Sequence, residues 1–396
     1  MRRNKRFWLI VRREFERIRT RKTLWMLMII MPWIIFGTIA LIYRPGVVDH
    51  LPLAVYDQDH STLSRLIVRS LAANRSFRIV HYVESAEQIE QAFKRGEIQA
   101  AIAIPRGLEN TIKKGKTAHV VLYKNSSNII IGNIALKAAM TTLRTISAGI
   151  EMRKWQSLGN MPSQAISRTL PIEVHTQSLF NPGYNYENYL VAGLLPILYQ
   201  MIVMISAVLV ISVELEERTI EEVYRLAEGS LPIMLGGKAL PHLSIHLSGV
   251  LLLIGIVFPL FHIPVHGSVW SLILFTFYFV LVAFALGVLL SCLFTDMMLA
   301  TEAAIFLSTP AFIFTGYTFP LQAMPHFHQW YAQILPSTHF MSGFIKLYQM
   351  GEPLKFVLPE IRSLALFLLI SLAGISGLML WRKNRWCESQ TQESAS

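Results

Sequence analysis

Six long stretches of this chain are almost free of charge, and they restrict what it can fold into more than any other feature. Leu24 to Tyr43 is 20 residues without an Asp, Glu, Lys or Arg, enough helix to cross about 30 Å of hydrocarbon. Tyr189–Val213, about Leu240–Phe261, Val269–Phe294, Leu299–Thr318 and Ser363–Trp381 repeat the pattern. In lipid the backbone must satisfy its own hydrogen bonds, so each run reads as a helix. The expected fold class is an α-helical polytopic membrane protein with six transmembrane helices, Pro32 marking a kink in the first. A cleaved signal peptide fits less well, because the first run exceeds the usual apolar core of such peptides and Arg44-Pro45-Gly46 is no small-residue cleavage site.

Charge sets the orientation. The net charge is +11, and residues 1–23 contribute ten Lys/Arg against Glu14 and Glu16. A surplus beside the first span is positive-inside bias, not a nucleic-acid footprint. Both termini are therefore expected in the cytoplasm, with residues 44–188 outside it. Residues 382–396, with Arg382, Lys383 and Arg385, form a cytoplasmic tail. Within residues 1–23, Trp8, Val11, Phe15 and Ile18 recur at spacings of three and four, which predicts an amphipathic connector helix on the membrane surface. The two cysteines, Cys292 in an apolar run and Cys387 in the tail, offer neither a disulfide framework nor a Cys-based metal site.

Residues 44–188 have the character of an α/β extracytoplasmic domain inserted between helices 1 and 2. Strands are expected at Leu53–Tyr56, Phe77–Val80, Ala100–Ile104 and Ala118–Leu122, and helices near 61–73, 85–95, 106–114 and 128–156. Alternation of the two implies a mostly parallel or mixed sheet. Phe180-Asn-Pro-Gly183 reads as the turn into the second span. No dinucleotide, P-loop or nucleophile-elbow motif occurs there.

Residues 189–381 hold helices 2–6, and the charged segment 214–238 between the second and third is a cytoplasmic loop. Thr219-Ile-Glu-Glu222 has capping-box spacing, so a short helix should start there with its cap made by the Thr219 hydroxyl. Ile220, Val223, Tyr224 and Ala227 fall on one face, Gly229 can end the helix in the left-handed region and Ser230 can cap the next. A helix this short cannot span, so its apolar face needs a partner protein or the membrane surface. Glu214, Glu216, Glu217, Glu221, Glu222 and Glu228 give an acidic rim suited to a basic partner, with Arg218, Arg225 and Lys238 as the only cations. An ordinary solvated connector is the alternative.

Residues 315–351 are too polar and proline-broken to cross and too aromatic for a plain loop, which predicts a re-entrant or interfacial outer hairpin. Here Gly316-Tyr-Thr-Phe-Pro320, Met324-Pro325, Leu335-Pro336-Ser-Thr-His339 and Gly351 resemble the C-terminal signature of ABC-2-type transporter permeases. Val55-Tyr56-Asp57-Gln-Asp-His-Ser61, Arg95-Gly96-Glu97, Ile104-Pro105 and Asn181-Pro182 are similar to the large-ectodomain branch of that family, so the resemblance covers nearly the whole chain. It implies the permease subunit of an ATP-binding cassette exporter, a coupling helix in the 214–238 loop, a separate ABC ATPase subunit and a second permease completing a homo- or heterodimer. A periplasmic adaptor is a further implied partner. Arg218-Thr219 stands where such permeases carry Gly-Thr, and Ala227-Glu228 where they carry a proline. No G-x-x-x-x-G-K-[ST] sequence occurs, so no cofactor is expected on this chain, and ATP with its Mg belongs on the partner.

Three further candidates remain. Glu302, one turn into the fifth span, either lines an inner vestibule or snorkels beside Asp296. His242 and His246, or His326 and His328, could hold a metal, but two imidazoles alone are an incomplete ligand set and no metal site is assigned. A membrane-anchored receptor or envelope scaffold without transport, and a metalloenzyme built on the histidines, are the competing functions.

Overall fold

The computed structural model describes residues 2–46, 48–159, 161, 179–181, 185 and 187–393, with side chains from Asn4 to Lys383. The expected turn Phe180–Gly183 lies partly outside these residues, as do the side chains of Arg385 and Cys387. Two compact units result: residues 1–46 with 179–396, and residues 47–178.

In the first unit, α1 (Arg2–Thr20) leads into α2 (Lys22–Tyr43), which is followed after the second unit by α7 (Glu187–Glu216), α8 (Ile220–Leu226), α9 (Leu231–Leu260), α10 (Val269–Leu293) and α11 (Met297–Phe314). Two shorter helices, α12 (His326–Gln333) and α13 (Pro336–Tyr348), precede the final α14 (Leu358–Glu393). Helix α7 is the axis of this unit, packing along α10, α11 and α2, while α10 packs also on α13 and α14. The core is one apolar cluster running from Phe36 through Met204, Phe279 and Phe340 to Met379.

The second unit holds β1 (Leu51–Asp57), α3 (Thr62–Ala73), β2 (Phe77–Tyr82), α4 (Ala86–Lys94), β3 (Ala100–Ile104), α5 (Leu108–Lys113), β4 (Val121–Lys124) and α6 (Ile129–Ser157). The sheet order is β2-β1-β3-β4, with β1 parallel to both neighbours and β4 antiparallel to β3, which is the mixed sheet expected. Strand β4 lies later than its apolar run, since Ala103 pairs with Val121 and Ala100 with Lys124. Ala118 and Val120 instead pack on the core beneath it.

By length and composition seven helices could cross a membrane, not six, the addition being α6. Its Ala135, Ala138 and Ala139 are buried in the core of the sheet unit with Leu53 and Ile102. The third apolar run also starts earlier than expected, at Leu231, because Gly236, Gly237 and Lys238 are helical rather than part of a loop. The interval between spans therefore shrinks to the residues around α8.

The segment 315–351 forms a helical hairpin. Helix α12 leaves Phe327 and Trp330 exposed, whereas α13 buries Phe340, which stacks on Phe279 at 3.9 Å between ring centroids. Of the signature residues, Gly316 and Gly351 have φ of 78° and 72°. Pro336 is the first residue of α13 and buried, Met324 is buried, and Pro320 and Pro325 are exposed. The hairpin is tied to α7 through Tyr317, whose ring stacks on Tyr189 at 4.7 Å. Tyr189 donates to the Tyr317 carbonyl at 2.6 Å and Tyr317 donates to the Tyr189 carbonyl in return. Only glycine allows this at position 193, where a Cβ would come 2.1 Å from the Tyr317 ring.

Candidate coupling site

The fold splits the apolar stripe Trp8, Val11, Phe15 and Ile18 of α1. Ile10, Val11 and Ile18 are buried against the chain, whereas Trp8 and Phe15 are exposed at 61% and 44%. This leaves Trp8 and Phe15 free for a membrane surface. Close packing of α1 on α9 requires Gly237, where a Cβ would lie 2.9 Å from Ile10 Cγ2. Glu14, three residues after Val11 and four before Ile18, lies on the same buried face.

That placement builds an ionic junction. Lys238, fully buried on α9, donates to Glu14 Oε2 at 2.5 Å and to Glu214 Oε1 at 2.8 Å. His242, one turn on, places Nε2 at 3.2 Å from Glu14 Oε1. Glu214, at the end of α7, also takes Arg13 at 2.6 Å, Arg17, and the Thr219 hydroxyl. Arg17 continues to Glu217 at 3.3 Å, and Arg21 pairs with the same carboxylate. Three acids (Glu14, Glu214, Glu217) thus meet four cations (Arg13, Arg17, Arg21, Lys238), and each of the two buried carboxylates, Glu14 and Glu214, has a cationic partner, as burial of charge demands. The junction welds the surface helix α1 to the ends of α7 and α9.

Several expectations are corrected here. Glu214 and Lys238 are not on an outer rim; both are wholly buried within this chain. The capping box does not form, because the Thr219 hydroxyl turns back to Glu214 and the Thr219 amide donates to the Glu214 carbonyl at 3.0 Å. A buried carboxylate accepts a stronger hydrogen bond than a cap offers. Gly229 does take positive φ, at 75°, and Ser230 precedes α9 without a side-chain cap. The apolar face of α8 needs no second protein, since Ile220, Val223 and Ala227 are buried within this unit. Tyr224 is half-buried, with Lys383 Nζ 5.9 Å from its ring centroid. What faces outward is Glu216, Glu217, Arg218, Glu222, Arg225 and Glu228, with Glu221 half-buried and paired to Arg225 at 3.5 Å. Arg6 of α1 reaches Glu228 at 3.4 Å.

Burial raises the Glu14 carboxyl, but Lys238 and His242 outweigh it and hold it down at about 2. An unfolded carboxyl titrates near ~4.3, so the folded value is depressed. The stabilisation is then fully present above the unfolded value and is lost only as pH falls through about 2. Hydrogen exchange of α1, corrected for intrinsic rates, should therefore be unchanged between about pH 5 and 8. Loosening of α1 within that window would show the pairing to be absent.

His242 and His246 are both bonded inside the unit. His246 Nε2 meets Ser206 Oγ at 2.7 Å and Nδ1 meets the Tyr199 hydroxyl at 3.2 Å. His326 and His328 are exposed on α12, His328 stacking on Phe314 at 5.8 Å. No group of three or more metal-ligating side chains occurs among the described residues. Glu302 is exposed on α11, away from the junction. Glu14, Arg13 and Arg17 escaped the sequence reading because they resemble any other members of a basic arm. The available signal was Lys238 and His242 one turn apart in an apolar run, which demands a buried acid.

A family profile described as ABC-2 family transporter protein matches residues 22–376. A probable multidrug ABC transporter permease of Escherichia coli strain K12, YbhR, is 23% identical over 361 residues, covering 89% of this chain and 92% of that protein. A second from the same strain, YbhS, is 24% identical over 216 residues, 54% of this chain and 55% of its own. ABC transporter G family member 20 of Dictyostelium discoideum is 24% identical over 315 residues, 74% of this chain but 39% of that protein. The chain belongs to the ABC-2 family of transporter proteins.

Proposed function

We propose that this chain is the transmembrane permease subunit of an ATP-driven exporter whose ATPase is a separate protein. The observation that carries the reading is α8, a short helix rigidly seated on α1, α7 and α9 with acids turned outward. A push on α8 would pass through the Glu14–Lys238–Glu214 junction into the ends of two spans at once. Absence of a P-loop from the sequence supports hydrolysis on another chain. A second permease, identical or related, completes the translocation unit, and ATP-driven closure of two ATPase subunits drives substrate outward.

The proposed topology has six spans, α2, α7, α9, α10, α11 and α14, with α6 in the extracytoplasmic domain. The basic N-terminal helix supports cytoplasmic termini and a bacterial inner-membrane location. In a background lacking Cys292 and Cys387, a cysteine replacing Ser85 should react with an impermeant maleimide in intact spheroplasts and one replacing Ser389 should not. The reverse pattern would overturn the orientation. A periplasmic adaptor on the 44–188 domain remains part of the proposal, and its absence would leave the transporter reading intact.

A further inference from the structure

The spanning unit contains a second site that the coupling junction does not use. Where α2 ends, α7 begins and α9 ends, at the side opposite α1, a cavity of about 360 Å³ is lined by Leu41, Arg44, Glu187, Leu260, Phe261 and His262. Glu187 is only 7% exposed, and its Oε1 has no hydrogen-bond partner among the described residues. A buried carboxylate oxygen without a donor is costly, so a group there signals a missing ligand. The flanking backbone is irregular: Glu187–Val191 and Leu253–Val257 are π-helical turns, and His262 has φ of 54°. Turns of this kind concentrate at functional sites. Arg44 and His262 are exposed at the rim, and Leu41 and Leu260 are exposed on the helices beside it.

We propose that this cavity binds the headgroup of a membrane phospholipid bearing a primary ammonium, with Glu187 taking the ammonium, Arg44 the phosphate, and Leu41, Leu260 and Phe261 the start of the acyl chains. The chemistry selects among lipids. An ammonium brings N–H donors to a carboxylate, a quaternary choline brings none, and a glycerol headgroup brings no positive charge. The guanidinium suits phosphate by its planar fork of donors. The site goes beyond the transport reading and does not depend on the direction of transport.

The test uses the full chain, delipidated in mild detergent, with palmitoyl-oleoyl phosphatidylethanolamine, phosphatidylcholine or phosphatidylglycerol added separately and bound lipid counted by native mass spectrometry. Phosphatidylethanolamine should be retained at least about tenfold better than either of the others. Glu187→Gln should abolish that preference, Glu187→Asp should keep part of it, and Arg44→Ala should weaken phosphatidylethanolamine and phosphatidylcholine alike. Because Glu187→Gln removes a buried acid whose Oε1 has no donor among the described residues, its melting temperature in phosphatidylcholine should not fall below wild type. Leu260→Trp, which fills the cavity without touching a charge, should lower phosphatidylethanolamine retention. Soluble phosphoethanolamine at millimolar concentration should not displace the lipid. Equal retention of phosphatidylethanolamine and phosphatidylcholine by the wild type, a preference that survives Glu187→Gln, or displacement by phosphoethanolamine would each overturn the proposal.

Discussion

Lys238→Met is expected to destabilise the protein by about 3–5 kcal/mol, because it strands the buried Glu14 carboxylate and removes one cation from Glu214 without changing the volume of the side chain much. Among the described residues the lysine is the one group hydrogen-bonded to both Glu14 and Glu214. Glu214 retains Arg13, Arg17 and Thr219 when it is lost, but Glu14 keeps only His242 at hydrogen-bonding distance and a looser Arg17 at 3.9 Å. Most of the loss should therefore come from Glu14. Adding Glu14→Gln removes that stranded charge, so the double variant should be more stable than Lys238→Met alone. The exposed pair Arg12–Glu16, at 3.1 Å, supplies the control. Glu16→Gln should cost no more than about 1 kcal/mol. Apparent melting temperature in detergent, together with the amount of chain in the membrane, reads all four proteins. A neutral Lys238→Met, or a double variant worse than the single, would mean that the junction is not assembled in the membrane.

Sequence and structure agree wherever a single physical rule dominates. The apolar runs became helices because lipid leaves the backbone no other option, and the alternating segment of residues 51–157 became a mixed sheet with helices because three of its four strands coincide with a clear apolar run, β4 alone lying later than its own. Agreement fails where two segments distant in sequence compete for the same groups. Thr219 has the spacing of a cap, yet its hydroxyl donates to Glu214, buried five residues earlier, instead of accepting from an orphan amide of α8. Gly236 and Gly237 suggest a loop, yet they are helical, and Gly237 gives α1 room to approach. Of the stripe Trp8, Val11, Phe15 and Ile18 only Val11 and Ile18 pack inward, on a face completed by Ile10 and Glu14. Position 14 could not be picked out from its neighbours, because its partners lie more than 200 residues away.

Reversing Glu221 and Glu222 to Lys is expected to abolish coupling to the ATPase while leaving the permease at normal abundance. Both residues lie in the first turn of α8, where negative charge opposes the positive end of the helix dipole. That local effect is worth only about 0.3–1 kcal/mol on an exposed helix, too little to remove the chain from the membrane. Neither side chain belongs to the buried junction. The large effect should instead come from the loss of an acidic surface offered to a basic partner. Thr219→Ala should behave in the opposite way. It removes a hydrogen bond to a buried carboxylate, so about 1.5–3 kcal/mol of stability goes, with recruitment of the ATPase preserved. Membrane-bound ATPase and permease-dependent ATP hydrolysis, normalised to permease level, separate the two outcomes. Full recruitment and full hydrolysis in the charge reversal would reduce α8 to a packed connector.

The most direct measurement is purification of the full chain from its native membrane in mild detergent, with mass-spectrometric identification and counting of what remains bound. The account predicts a protein carrying a G-x-x-x-x-G-K-[ST] nucleotide site, present at one copy per permease chain and released by the Glu221→Lys/Glu222→Lys variant. Recovery of the chain with no such ATPase, or with an ATPase whose binding the double reversal leaves untouched, would contradict it.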